Sequence, residues 1–150
     1  MAELRQNLAT REWVIIASER ARRPNAFVEA GGRQLTHERH ERDAGCPFCP
    51  GNEELDLEID RDPAAGPWTT RVVGNKYPAL HLDGPLTRSF DGVERSITGV
   101  GHHEVLVEHR LHNSTLALLT DEEILDVLLM YLRRGRAIAA DPRVEQIVFF

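Results

Sequence analysis

The chain has 150 residues, enough for one domain with a sizeable core. Charged residues make up 28% and hydrophobic residues 41%, a composition that excludes a disordered or fibrous chain. With 18 basic and 24 acidic residues the formal charge is −6, so bulk charge supports neither nucleic-acid nor membrane binding, and no apolar run nears the roughly 20 residues needed to span a bilayer.

Met1-Ala2-Glu3-Leu4-Arg5 has no apolar signal-peptide core, which predicts a cytoplasmic protein. Trp13 to Ser18 is β-branched and aromatic, a strand composition. Residues 19–45 are polar and arginine-rich and contain Pro24 and Gly31-Gly32, which predicts an extended loop. Cys46-Pro47-Phe48-Cys49-Pro50-Gly51 is a tight turn, and residues 53–67 read as an acidic loop. A second strand is predicted over Thr69 to Val73, ended by Gly74-Asn75. Gly84, Pro85, Gly92 and Gly99 make residues 81–100 a loop or irregular hairpin. A third strand covers His103 to Glu108, with Val105 and Val107 alternating against Glu104, Leu106 and Glu108.

Thr120-Asp121-Glu122-Glu123 is a capping box that opens a helix running to about Ala140. Ile124, Leu125, Leu128, Leu129 and Leu132 recur at three- and four-residue steps, which predicts one buried face. Asp141-Pro142 stops the helix. A last strand is predicted over Val144 to Phe150; such an apolar ending is unusual for a terminus. Strands precede one long helix without a βαβ rhythm, so the class is α+β with a mostly antiparallel sheet.

Cys46 and Cys49 are the only cysteines. Two thiolates on a tight turn can both face one tetrahedral zinc, and zinc is the leading reading. A redox pair is weaker, because no βαβ context surrounds it. Zinc then needs two more ligands, and His102, His103, His109 and His112 are all candidates, although a lone strand histidine is more often a surface or core residue. The run Glu19-Arg20-Ala21-Arg22-Arg23-Pro24 can bind phosphates through bidentate guanidinium contacts, against the default of a solvated charged loop. Lys76 is the one lysine, for which codon bias is the bland explanation; it lies in Val73-Gly74-Asn75-Lys76-Tyr77-Pro78, where a strand ends in a turn that presents an amide, a cation and an aromatic ring. Walker and Rossmann glycine patterns are both absent from the sequence.

These motifs occur in an order that resembles the N-terminal half of the galactose-1-phosphate uridylyltransferases, in the histidine-triad superfamily. Arg5-Gln6-Asn7 and Trp13-Val14-Ile15-Ile16 resemble the opening strand, and Arg20-Ala21-Arg22-Arg23-Pro24 the arginine loop. Cys46-Pro47-Phe48-Cys49-Pro50-Gly51-Asn52 resembles the zinc knuckle. Arg71-Val72-Val73 followed by Asn75-Lys76-Tyr77-Pro78-Ala79-Leu80 resembles the nucleotide-contacting strand end. Gly101-His102-His103-Glu104-Val105 and His112-Asn113 resemble the next strand and turn. The resemblance covers nearly all of residues 5–150.

The resemblance implies a structural zinc on Cys46, Cys49 and His112, with a fourth ligand downstream. It implies Arg20 and Arg23 near the phosphates of a sugar nucleotide, and Asn75 with Lys76 near the uridine. Some family members carry an acidic residue where Lys76 stands. The implied reaction moves UMP between UDP-glucose and galactose 1-phosphate through a uridylyl-histidine. The nucleophile belongs to a His-Pro-His motif after the final strand, and no His-x-His occurs here. The expectation is therefore one incomplete domain over residues 1–150, with no catalytic histidine, inactive alone and homodimeric when full length. The alternatives are a sister enzyme using an adenine nucleotide, as a sugar phosphorylase or adenylyltransferase, and a zinc-stabilised module without catalysis.

Overall fold

The computed structural model describes residues 2–22 and 38–150. In chain order the regular elements are β1 (Glu3–Gln6), β2 (Trp13–Ile16), β3 (Glu58–Asp62), β4 (Thr70–Gly74), β5 (Arg88–Asp91), β6 (Glu94–Thr98), β7 (Glu104–Val107) and α1 (Asp121–Ala139). Every pairing between these strands is antiparallel, in a four-stranded sheet ordered β2-β1-β6-β5 and a three-stranded sheet ordered β3-β4-β7. The class is α+β with one long helix, as the order of elements predicts. No helix among the described residues is long and apolar enough to cross a membrane.

The chain divides into two compact units. One contains the four-stranded sheet and is built from the first described segment, Asn75–His103 and Ala137–Phe150. Asn7 closes the β1–β2 hairpin: its Oδ1 accepts the amides of Ala9 at 2.9 Å and Thr10 at 3.2 Å. Residues 81–100 do contain a hairpin, β5–β6, turned at Gly92, whose φ of 58° suits a residue without Cβ.

The other unit contains the three-stranded sheet, from the stretch that ends at Gly74 and from Glu104–Arg136. Its central strand, β4, is buried over Thr70, Arg71, Val72 and Val73. The stretch 53–67 is not only a loop, because β3 forms within it. Two of its acidic residues are paired with arginines. Glu58 receives a two-pronged contact from Arg61 at 2.6 and 2.7 Å, and Asp60 one from Arg133 at 2.9 and 3.0 Å.

α1 opens on the predicted capping box: Thr120 N–H donates to Glu123 Oε2 at 2.8 Å, and Glu123 N–H to Thr120 Oγ1 at 3.3 Å. The leucine stripe is not the buried face. Leu125, Leu128, Leu129 and Leu132 are each about half exposed, whereas Val127 and Met130 are buried. Two arginines of the helix reach the sheet. Arg134 forks onto Glu104 of β7 at 2.7 and 2.9 Å, and Arg133 onto Asp60 of β3. Val127, Met130 and Arg134 share one face at three- and four-residue steps, and this face meets the sheet through the Arg134 fork. The predicted last strand is also absent: residues 145–150 have no regular structure. A strand needs a neighbour to receive its hydrogen bonds, and among the described residues none pairs with this segment.

Candidate functional site

Three successive turns carry the chain through the cysteines. Cys46 N–H donates to Asp43 O at 3.2 Å, Cys49 N–H to Cys46 O at 3.2 Å, and Asn52 N–H to Cys49 O at 3.1 Å. Gly51 has φ 86°, a conformation other residues adopt only with strain. The histidine arrives from far along the chain and is tied at its backbone, where His112 N–H donates to Glu41 O at 2.8 Å. The result is a cluster of Cys46, Cys49 and His112 whose ligand atoms all lie within 4.8 Å of one another.

This cluster can hold a metal ion. Zinc with sulfur at about 2.3 Å and nitrogen at about 2.0–2.1 Å, at a tetrahedral angle, sets such a pair about 3.6 Å apart. Cys49 Sγ and His112 Nδ1 are separated by 3.6 Å. Cys49 is buried and accepts a contact from Asp43 N–H at 3.4 Å, one amide aimed at sulfur. Burial raises the Cys46 thiol pKa, and the adjacent Cys49 raises it further, against the lowering effect of backbone contacts from Phe48 and Cys49. A cation seated between the sulfurs would reverse that balance and favour the thiolates.

The other candidate histidines are otherwise engaged. His109 Nε2 lies 3.3 Å from Glu123, and its Nδ1 accepts Leu111 N–H at 3.1 Å. His102 Nε2 lies 3.5 Å from Asp141, itself held by Arg143. The Arg143 guanidinium and amide, followed by a contact from His102, hold the Asp141 carboxyl far below the usual carboxylate range.

His103 organises the Asn75 turn. Its Nδ1 accepts Ala79 N–H at 2.7 Å, its Nε2 lies 3.2 Å from Asn75 Nδ2, and its carbonyl accepts Asn75 N–H at 2.9 Å. Asn75 Oδ1 accepts Tyr77 N–H at 2.9 Å. The side-chain amide of Asn75 is thereby fixed in orientation, and Lys76 beside it is exposed. Arg20 is half-buried in a short 3-10 turn, Ser18–Arg22, where its N–H donates to Ala17 O at 3.0 Å. Arg23 lies outside the described residues.

Sequence reasoning gave no role to Asn52, the last residue of the knuckle motif, or to Glu53 after it. Asn52 Nδ2 reaches the carbonyls of Asp43, Ala44 and Cys46 at 3.0, 3.2 and 2.8 Å. Glu53 accepts Gly51 N–H at 2.7 Å and Trp68 Nε1–H at 2.9 Å. The Trp68 contact is the main reason its carboxyl sits below its ordinary pKa. The visible signal was a pair of polar residues immediately after a Pro-Gly turn.

A family profile described as galactose-1-phosphate uridyl transferase, N-terminal domain, matches residues 1–149. The chain is 34% identical over 152 residues to an ADP-glucose phosphorylase of Arabidopsis thaliana, covering 99% of this chain and 42% of that protein. It is 28% identical over 151 residues to a galactose-1-phosphate uridylyltransferase of Thermotoga maritima, covering 100% of this chain and 40% of that protein. The crystal structure of an ADP-glucose phosphorylase from Arabidopsis thaliana with bound ADP-glucose superposes with a TM-score of 0.54 at 29% identity, over 96% of this chain and 40% of that one. The chain thus spans about two-fifths of the length of each relative.

Proposed function

The chain belongs to the galactose-1-phosphate uridyl transferase family through its N-terminal domain, and from that premise we propose that the whole protein is a nucleotidyltransferase acting on a nucleoside-diphosphate sugar. The observation that carries the reading is the convergence of Cys46, Cys49 and His112 within 4.8 Å, inside a family match over residues 1–149. Zinc, supplied as a structural cross-link, would be held by these three residues with a fourth ligand from outside this chain. This reading takes a histidine of a His-x-His motif as the nucleophile, and these 150 residues hold no such motif.

The chemistry is a double displacement. A histidine nitrogen bonds to the α-phosphorus while the bond to the sugar phosphate breaks. A phosphate oxygen of the acceptor then attacks the same phosphorus and releases the histidine. Arg20 and Arg23 neutralise charge on the phosphoryl oxygens. Asn75, whose Oδ1 is committed to Tyr77, offers its Nδ2 as a donor to the nucleotide, with Lys76 as the adjacent cation.

UDP-glucose and galactose 1-phosphate are the substrates of the first reading. The second takes ADP-glucose with phosphate as acceptor; 34% identity to an ADP-glucose phosphorylase, against 28% to a uridylyltransferase, supports it. Steady-state assays of the whole protein with both substrate pairs test the two. A preference for ADP-glucose removes the uridylyl reading, and no turnover with either leaves the zinc-stabilised module.

A further inference from the structure

Two consecutive side chains hold the Cys46–Cys49 turn. Asn52 donates to three carbonyls, two of which belong to Asp43 and Ala44 ahead of the first cysteine. That arc ends in the Asp43 amide, 3.4 Å from Cys49 Sγ. Glu53 works on the segment after the second cysteine. Its carboxylate joins the Gly51 amide to the Trp68 indole, and one oxygen lies 3.9 Å from Arg71 Nη1. Trp68 and Arg71 are 3% and 1% exposed, and the guanidinium carbon of Arg71 lies 5.5 Å from the indole ring centroid. Asn52 therefore closes the turn on itself, while Glu53 bolts it to the buried side of β4.

We infer that Asn52 and Glu53 are positioning residues of the metal centre, which aim the Asp43 amide and both sulfurs before a cation arrives. The inference rests on the proposed metal site and extends it past the ligands. The physical ground is preorganisation. Thiolates whose backbone is already fixed lose little conformational freedom on binding, and an amide aimed at sulfur stabilises the charged ligand. Asn52 Nδ2 has no lone pair to give a metal, and Glu53 lies outside the Cys46, Cys49 and His112 cluster, so their effect on the ion is indirect.

Cobalt(II) titration of the metal-free protein tests this, read from the thiolate-to-cobalt charge-transfer band and followed by competition with a zinc chelator. Glu53→Gln and Asn52→Ala are expected to weaken metal binding about 10–100-fold, with the band still reached at saturation. Glu58→Gln is the control: Glu58 pairs with Arg61 and Arg71 but makes none of the turn's bonds. It should bind within about twofold of wild type. Should one of the two test variants fail to fold by circular dichroism, the other carries the test. Wild-type affinity in the test variants, beside lost binding in Cys46→Ser, overturns the inference and leaves the metal site standing. Equal weakening in Glu58→Gln overturns it too, as a general loss of stability. Absence of the band in wild type removes the metal site, and the inference with it.

Discussion

The Cys46–Cys49 turn and the Asn75–Lys76 turn each depend on a histidine far along the chain and use it differently. His112 stands 63 positions from Cys49 and directs Nδ1 at sulfur, its backbone pinned to Glu41. His103 stands 28 positions from Asn75 and is engaged at both ring nitrogens, by the Ala79 amide and the Asn75 side chain. The lesson is that what a histidine can ligate is decided by what its two nitrogens already hold, more than by its spacing from cysteines. Each turn is assembled by side chains bonding to backbone, which fixes a loop without a large apolar core.

The sharpest way to break this contrast is to remove a cysteine. Cys46→Ser should drop zinc, by mass spectrometry of the native whole protein, from about one ion per chain to under about a tenth at this site. Stoichiometric zinc in that variant would take Cys46 out of the ligand set. His103→Ala should do the reverse. Leaving the buried Ala79 N–H without its acceptor should cost about 1–3 kcal/mol in urea unfolding, with zinc content unchanged. Zinc loss there would mean that the two turns are not separately built.

Thr120→Ala supplies a baseline that touches neither turn. It removes one half of the capping box, with an expected cost of about 1 kcal/mol by urea unfolding and no change in metal. The smallest effect concerns pH. The Trp68 contact holds the Glu53 carboxyl below its ordinary value of 4.5. A lowered folded pKa contributes stability that is complete above the unfolded value and is lost as pH falls through the folded one. Urea midpoints measured from pH 7 down to 3 should therefore fall less steeply in Glu53→Gln than in wild type. Parallel curves would show that Glu53 is not the acid-sensitive anchor of the Cys turn.

Local chemistry was legible in the sequence where it is self-contained. The Thr120–Glu123 box and the strand before Gly74 are each specified by neighbours within a few residues, and each formed; for residues 81–100 a loop and an irregular hairpin were both open, and a hairpin formed. The Cys-x-x-Cys turn was legible as half of a metal cluster, but spacing could not choose among four histidines. The choice depends on which one the fold delivers, through bonds such as His112 N–H to Glu41 O. β3 was hidden because its stretch read as an acidic loop, whereas Arg61 and Arg133 pair with Glu58 and Asp60. The helix face was misjudged as well. Counting leucines finds the most apolar stripe, while the face that meets the sheet carries Val127, Met130 and the Arg134 fork onto Glu104.

That leucine stripe has a calorimetric consequence. Unfolding raises heat capacity mainly by wetting apolar surface, at about 0.45 cal/mol/K for each Å² newly exposed. Leu125, Leu128, Leu129 and Leu132 already give about half their surface to water in the folded chain, so that portion adds nothing on melting. The heat-capacity step should therefore be smaller than that of the same residues with the stripe covered. Their stability curve should be correspondingly flat, and any surface that covers the stripe should steepen it.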